Sequence, residues 1–154
     1  MNRILFVCTG NYYRSRFAEE YFNHLAKKND LNWVAASKGL SQNMPSLNNP
    51  GPISVHTLEA LKSKGIEGEE THRYPRPITK ADFPSHDRII AMSEAEHRPM
   101  IEERFLAQSK IVEYFEVGDL PVESPETAIK KIAQNIENLV EKMKIRQKVI
   151  KMLS

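Results

Sequence analysis

Ile4-Leu5-Phe6-Val7-Cys8-Thr9-Gly10-Asn11-Tyr12-Tyr13-Arg14-Ser15 is the stretch on which the reading of the fold turns. Four consecutive apolar residues are the pattern of a strand buried on both faces, as in a parallel sheet. Cys8 to Asn11 stop that strand in a turn. From Ser15 to Lys28, Ala18, Tyr21, Phe22, Leu25 and Ala26 recur at helical spacing, and Asn29-Asp30 end the run. Strand, tight loop and helix therefore follow one another directly.

Further along, Trp33 to Ala36 is expected to form a second strand. A loop rich in Pro, Asn and Gly runs from Gln42 to Pro52, and a helix from Val55 to Lys64 closes at Gly65. Arg88 to Met92 and Lys110 to Phe115 read as two more strands, joined by a helix that must accommodate Pro99. Ser124-Pro125 suits a helix start, and Ile129, Ile132, Ile136, Leu139, Val140 and Met143 mark one face of a long last helix. Alternating strands and helices predict an α/β domain of three αβα layers around a four-stranded parallel sheet. The active site of such a fold lies at the carboxyl ends of the strands.

A chain of 154 residues fits a single domain, residues 1–154, able to bury roughly two thirds of the surface it exposes when unfolded. With 40% hydrophobic and 27% charged residues it falls in the globular class, not the disordered one. A net charge of +2 does not call for a polyanionic partner, so no nucleic acid is expected. Cys8 is the only cysteine, which excludes an internal disulfide framework and a zinc site built on several thiolates. No metal or other cofactor is implied. The lone thiol, with no leader signature and no long apolar segment, leads us to expect a soluble, cytoplasmic protein and, by default, a monomer. The basic stretch Lys144 to Lys151 reads as a solvated helix end, with no membrane contact.

The loop carries the chemistry. Backbone N–H groups ahead of a helix can cradle an oxyanion, and Gly10 is expected to supply the left-handed dihedrals of such a loop. The same amides, with Arg14, would stabilise a thiolate on Cys8 and make it nucleophilic. Arg14 can grip two phosphate oxygens at once, which a lysine cannot copy. Ser15 can donate to the sulfur, cap the helix, or both. Cys8 could otherwise be a small buried strand-end residue. An Arg-Ser pair at this offset from a cysteine, however, arises by chance roughly once in a few hundred cases. The loop lacks the Gly-Lys-Ser/Thr ending of a nucleotide-binding loop.

Cys8 to Ser15 resembles the Cys-x-Gly-Asn-x-x-Arg-Ser loop of the low-molecular-weight protein tyrosine phosphatases, where it also lies at the extreme N-terminus. Trp33 to Ser41 looks like that family's second strand and following turn, with Ser37 at its serine. His72 and Arg76 look like its His-x-x-x-Arg stretch. The resemblance implies the strand order 2-1-3-4 and a phosphate cradle formed by Thr9, Gly10, Asn11, Tyr12, Tyr13, Arg14 and Ser15. It also implies a supporting hydrogen-bond network of Asn11, Ser15, Ser37 and His72. The general acid would be Asp119, with Glu116 and Glu123 as fallbacks.

The sequence departs from the family at several points. Leu120 and Pro121 replace the usual proline and aromatic after the acid. Tyr13 stands where most members carry a second cysteine, and Arg16, in place of proline, is expected to add charge beside the pocket. Tyr12 lines the pocket wall where relatives acting on phosphoarginine carry threonine, which points to an aromatic or otherwise different substrate. The implied activity is that of a cysteine-dependent hydrolase, a protein phosphatase acting on phosphotyrosine or a small aryl phosphate through a phosphocysteine. Two alternatives stay open: an external-thiol-dependent arsenate reductase, and a module that binds phosphorylated ligands with little turnover.

Overall fold

The computed structural model describes residues 1–154. Strand β1 (Asn2–Cys8) is the centre of the molecule, and Ile4, Leu5, Phe6 and Val7 in it are fully buried. Successive side chains of a strand point to opposite faces. Ile4, Phe6 and Cys8 accordingly join one apolar cluster, while Leu5 and Val7 join another on the far side of the sheet.

Helix α1 (Arg14–Lys28) follows β1, and β2 (Trp33–Gly39) returns parallel to it. Then come α2 (Val55–Ser63), β3 (Arg88–Ala91), α3 (Glu94–Phe105), β4 (Val112–Tyr114) and α4 (Pro125–Leu153). The sheet is parallel throughout, in the order β2-β1-β3-β4. Helices α1 and α4 pack on the Phe6 face, where Phe17, Phe22, Ile132 and Ile136 are fully buried. Helix α3 covers the Leu5 face through Ile101 and Phe105.

Differences from the expected elements are local. β2 extends three residues beyond Ala36, because Cys8 pairs with Gly39 at the end of the register. A side chain at Gly39 would put its Cβ 2.8 Å from the Thr9 carbonyl and 3.0 Å from the Asn11 amide, so only glycine lets β2 approach the loop this closely. α3 runs through Pro99. The missing N–H leaves one carbonyl without its helical partner and does not break the helix. Lys110 and Ile111 belong to a short 3-10 turn that delivers the chain into β4. No helix is long and apolar enough to cross a membrane.

Candidate active site

β1 ends at Cys8 and α1 begins at Arg14, so five residues turn between the carboxyl end of the central strand and the amino end of a helix. The carbonyls of Cys8 and of four of these five residues, all but Gly10, are tethered by the rest of the fold. Leu40 N donates to Cys8 O at 2.9 Å, Ser41 N to Thr9 O at 2.9 Å, and Ser54 N to Tyr12 O at 2.9 Å. Arg16 Nη1 reaches Asn11 O at 3.3 Å, and Thr57 Oγ1 reaches Tyr13 O at 3.0 Å. None of the amides from Thr9 to Tyr13 donates to another protein group. With carbonyls tethered to surrounding segments and N–H groups unspent, the loop has the hydrogen-bonding pattern of an anion nest. The left-handed residue in it is Asn11, at φ 48°, and not Gly10 as expected from the sequence. A Cβ on Gly10 would meet Leu47 Cδ1 at 3.1 Å, so glycine here leaves room for the Leu47 side chain over the cleft.

The Asn11 side chain stabilises the left-handed turn. Its Nδ2 donates to Ser15 Oγ at 3.0 Å and to Ser37 Oγ at 2.8 Å, and its Oδ1 accepts from Arg76 N at 3.0 Å. Because Ser15 Oγ accepts from Asn11, its own proton is free for Cys8 Sγ, 3.0 Å away. Ser37 in turn donates to the buried Glu19 carboxylate, and Arg73 Nη2 binds Glu19 Oε1 at 2.8 Å and Ser37 Oγ at 3.2 Å. Burial pushes the Glu19 carboxyl above its ordinary range, and the Arg73 charge and Ser37 only partly oppose that. His72, expected in this network, is exposed and forms none of these bonds. Arg73 takes the role, because the 70–78 segment alternates its side chains and turns residue 73 inward where residue 72 faces out.

Arg14 is almost fully buried. Its Nη1 donates to Glu96 Oε1 at 3.0 Å and to Val117 O at 2.9 Å, and its Nη2 to Glu96 Oε2 at 2.7 Å. Asp119 Oδ2 lies 3.4 Å from Nη2. Glu96 Oε2 also accepts from Thr9 Oγ1 at 2.6 Å and lies 3.0 Å from Nε2 of the fully buried His97. Ser93 N donates to His97 Nδ1 at 3.1 Å, which assigns the ring proton to Nε2 and makes His97 a donor to Glu96. Burial works against charge on Glu96, yet hydrogen bonds from His97, Arg14 and Thr9 outweigh it and hold the carboxyl well below the usual carboxylate range.

The cleft over the loop has a volume of about 430 Å³. Cys8, Arg14 and Asp119 share it, and Tyr12, Leu47 and Leu120 supply apolar walls. Asp119 Oδ1 accepts from Leu120 N at 2.9 Å, leaving Oδ2 toward Arg14. The fallback acids lie elsewhere: Glu116 is exposed outside the cleft, and Glu123 is paired with Lys131. The Tyr12 hydroxyl donates to Pro50 O and so fixes its ring against the loop above. Tyr13 is buried, with its ring edge toward His56; burial and the Asp119 charge push its phenol up to about 12.

Arg16 does not add charge beside the pocket. It is 1% exposed and binds four backbone carbonyls, those of Asn11, Pro52, Glu70 and Arg73. Sequence reasoning also missed Glu96, His97, Glu19 and Arg73. For Glu96 a signal was present: Ser93-x-x-Glu96 directly after a strand is a capping sequence, and it sets Glu96 on a first helical turn at the carboxyl end of the sheet.

A thiol and a guanidinium around a ring of unspent amides, at the end of a central parallel strand, define an α/β protein with a cysteine-based oxyanion loop. The family model described as low molecular weight phosphotyrosine protein phosphatase matches residues 3–152, and the chain belongs to that family. It is 34% identical over 102 residues to the protein-arginine-phosphatase of Bacillus subtilis, a match covering 66% of this chain and 62% of the relative. It is 35% identical over 100 residues to the low molecular weight phosphotyrosine protein phosphatase of Sus scrofa, covering 63% of this chain and 58% of the relative. The matched region thus spans about three fifths of the length of these relatives. Among solved structures, the arginine phosphatase of Geobacillus stearothermophilus superposes with a TM-score of 0.73 at 26% identity, covering 96% of each chain. The low molecular weight protein tyrosine phosphatase of T. tengcongensis gives 0.71 at 25% identity, covering 96% of this chain and 99% of its own.

Proposed function

We propose that this protein hydrolyses phosphomonoesters, phosphotyrosine in proteins foremost, through a phosphocysteine intermediate. The observation that carries this reading is the run of unspent amides from Thr9 to Tyr13 closing around Cys8. Those donors and the free Nε of Arg14 bind the three equatorial oxygens and favour the charge that spreads over them in the transition state. Cys8 Sγ attacks phosphorus in line, the S–P bond forms as the P–O bond to the leaving group breaks, and Asp119 protonates the departing phenolate. Water then attacks phosphorus, Asp119 takes its proton, and the S–P bond breaks to return a thiolate that the Ser15 hydroxyl receives. The apolar walls of Tyr12, Leu47 and Leu120 favour an aromatic ester over the polar guanidinium of phosphoarginine. In this reading the chain is one domain and acts as a monomer in the cytoplasm, on phosphorylated protein or small aryl phosphates.

The test is turnover of an aryl phosphate, a phosphotyrosine peptide and a phosphoarginine peptide by the wild type and by Cys8→Ser. We expect hydrolysis of the first two, its loss in the serine variant, and retained binding of inorganic phosphate there, since the amides and Arg14 remain. Tight phosphate binding without turnover in the wild type would favour a phospho-ligand binding module. Thiol-dependent reduction of arsenate in its place would favour the reductase. Faster release of phosphate from phosphoarginine would move the substrate to that class.

A further inference from the structure

α4 is 29 residues long, and its last turns carry a pattern the active site does not use. Through Ile136, Val140 and Met143 the helix buries one face against the domain. Gln147 continues that face, its side chain bonded to Asn32 N at 2.8 Å and Asp30 O at 2.9 Å. Ile145, Val149, Met152 and Leu153 stand at i, i+4, i+7 and i+8, a single stripe on the opposite side of the helix. At 3.6 residues per turn, Ile145 points roughly 200° away from Met143. The stripe faces water: Ile145 is 62%, Val149 47%, Met152 81% and Leu153 83% exposed.

Cations frame the stripe. Lys142, Lys144, Arg146, Lys148 and Lys151 lie in this segment, and no acidic residue follows Glu141. Only Lys144 is paired, with Glu141 at 3.0 Å. Charge alone is what a solvated helix end would show, and this is how the sequence reads. The placement of four large apolar side chains on the outward face changes that reading, because solvation gives no reason for them. We infer that the last three turns of α4 form an interfacial segment that seats on an anionic lipid surface, with the stripe entering the headgroup boundary and the lysines engaging the lipid charges. A second copy of the chain is a poorer occupant, since a two-fold contact would set the same cationic rim against itself.

The location separates this seat from the active site. Met143, Gln147 and Ile150 share a cavity with Asn2, Trp33 and Arg88, at the amino ends of the strands. The Cys8 cleft lies at the carboxyl ends, so the end of α4 that carries the stripe is remote from the cleft.

Co-sedimentation with vesicles tests the inference. One set is rich in phosphatidylglycerol and the other is phosphatidylcholine alone; turnover of an aryl phosphate and circular dichroism control for folding. The wild type should pellet with the anionic vesicles and be released by high salt. Replacing Lys142, Arg146 and Lys148 with Gln should weaken partitioning roughly fivefold per cation, on the order of a hundredfold together. Replacing Ile145, Val149 and Met152 with Ser should weaken it on the order of tenfold or more while keeping every charge. All six positions are exposed and remote from the cleft, so turnover should not change. Equal binding to both vesicle sets, or equal binding by the serine variant and the wild type, would overturn the inference. So would a concentration-dependent dimer that the serine variant loses.

Discussion

Arg14 and Glu96 meet through two parallel hydrogen bonds, Nη1 to Oε1 at 3.0 Å and Nη2 to Oε2 at 2.7 Å. The fork that could clasp a phosphate is thus clasped by a carboxylate, which fixes the guanidinium plane and leaves Nε without a protein partner. Glu96→Gln keeps the shape but loses one acceptor and the charge. We expect kcat/KM to fall about ten- to hundredfold, the scale of a misplaced catalytic group, with less effect from Glu96→Asp.

The same residue gives a pH signature. With its carboxyl held below the usual range, Glu96 contributes stability that is fully present above its unfolded value, about 4.3, and is lost as pH falls through the lower folded value. Urea midpoints measured below about pH 4 should therefore decline less steeply in Glu96→Gln than in the wild type. Parallel acid profiles would show that the carboxylate is not stabilised as described.

Asp119 is the one carboxylate that shares the cleft with Cys8 and has an oxygen, Oδ2, turned to Arg14. Asp119→Asn should slow esters of basic phenols far more than activated ones, because only the former need a proton as the bond breaks. A uniform loss across a series of phenols would remove Asp119 from the acid role.

Arg16→Met keeps an apolar stem and deletes the donors to four carbonyls. Burial and the neighbouring Arg73 charge lower its guanidinium to about 10, still charged at neutral pH, so these bonds are charge-assisted. The variant should lose about 3 kcal/mol or more in chemical denaturation, and phosphate affinity should drop because the Asn11 carbonyl is released.

Graded peroxide should inactivate the enzyme without any internal disulfide, because Tyr13 stands beside Cys8 in the cleft and no second cysteine exists. Early damage should be reversed by added thiol and later damage should not, as sulfenic acid goes on to sulfinic. Mass spectrometry of Cys8 would report oxygen adducts or mixed disulfides; resistance to peroxide would contradict a reactive thiolate.

The strand, loop and helix around Cys8 were legible because each rests on local pattern: an apolar run, a turn, and a 3.6-residue period. The set of cradle residues came instead from the resemblance of Cys8 to Ser15 to a family loop. The supports were not legible, because they depend on which side of an irregular segment faces in. His72 and Arg73 are adjacent and both polar, and only the path of the 70–78 segment turns Arg73 toward Glu19. Arg16 was read as a surface charge because a buried arginine is uncommon unless paired, and its partners are carbonyls that no side-chain pattern reveals. Gly10 was assigned the left-handed turn on propensity, yet Asn11 adopts it because its side chain is bonded on three sides. Glu96 escaped notice because it lies 82 residues from Arg14 in the chain.

The tethered carbonyls of the Cys8 loop have one more implication. The groups that hold them come from residues 16, 40, 41, 54 and 57, so the loop's conformation is imposed by residues outside its signature, four of them on other segments of the chain. An isolated peptide with the sequence Cys8 to Ser15 would keep every signature residue and lose the curvature that turns its amides inward. The arrangement of its amides is thus a property of the assembled chain, and grafting the eight residues onto another strand and helix would transfer it only together with those tethers.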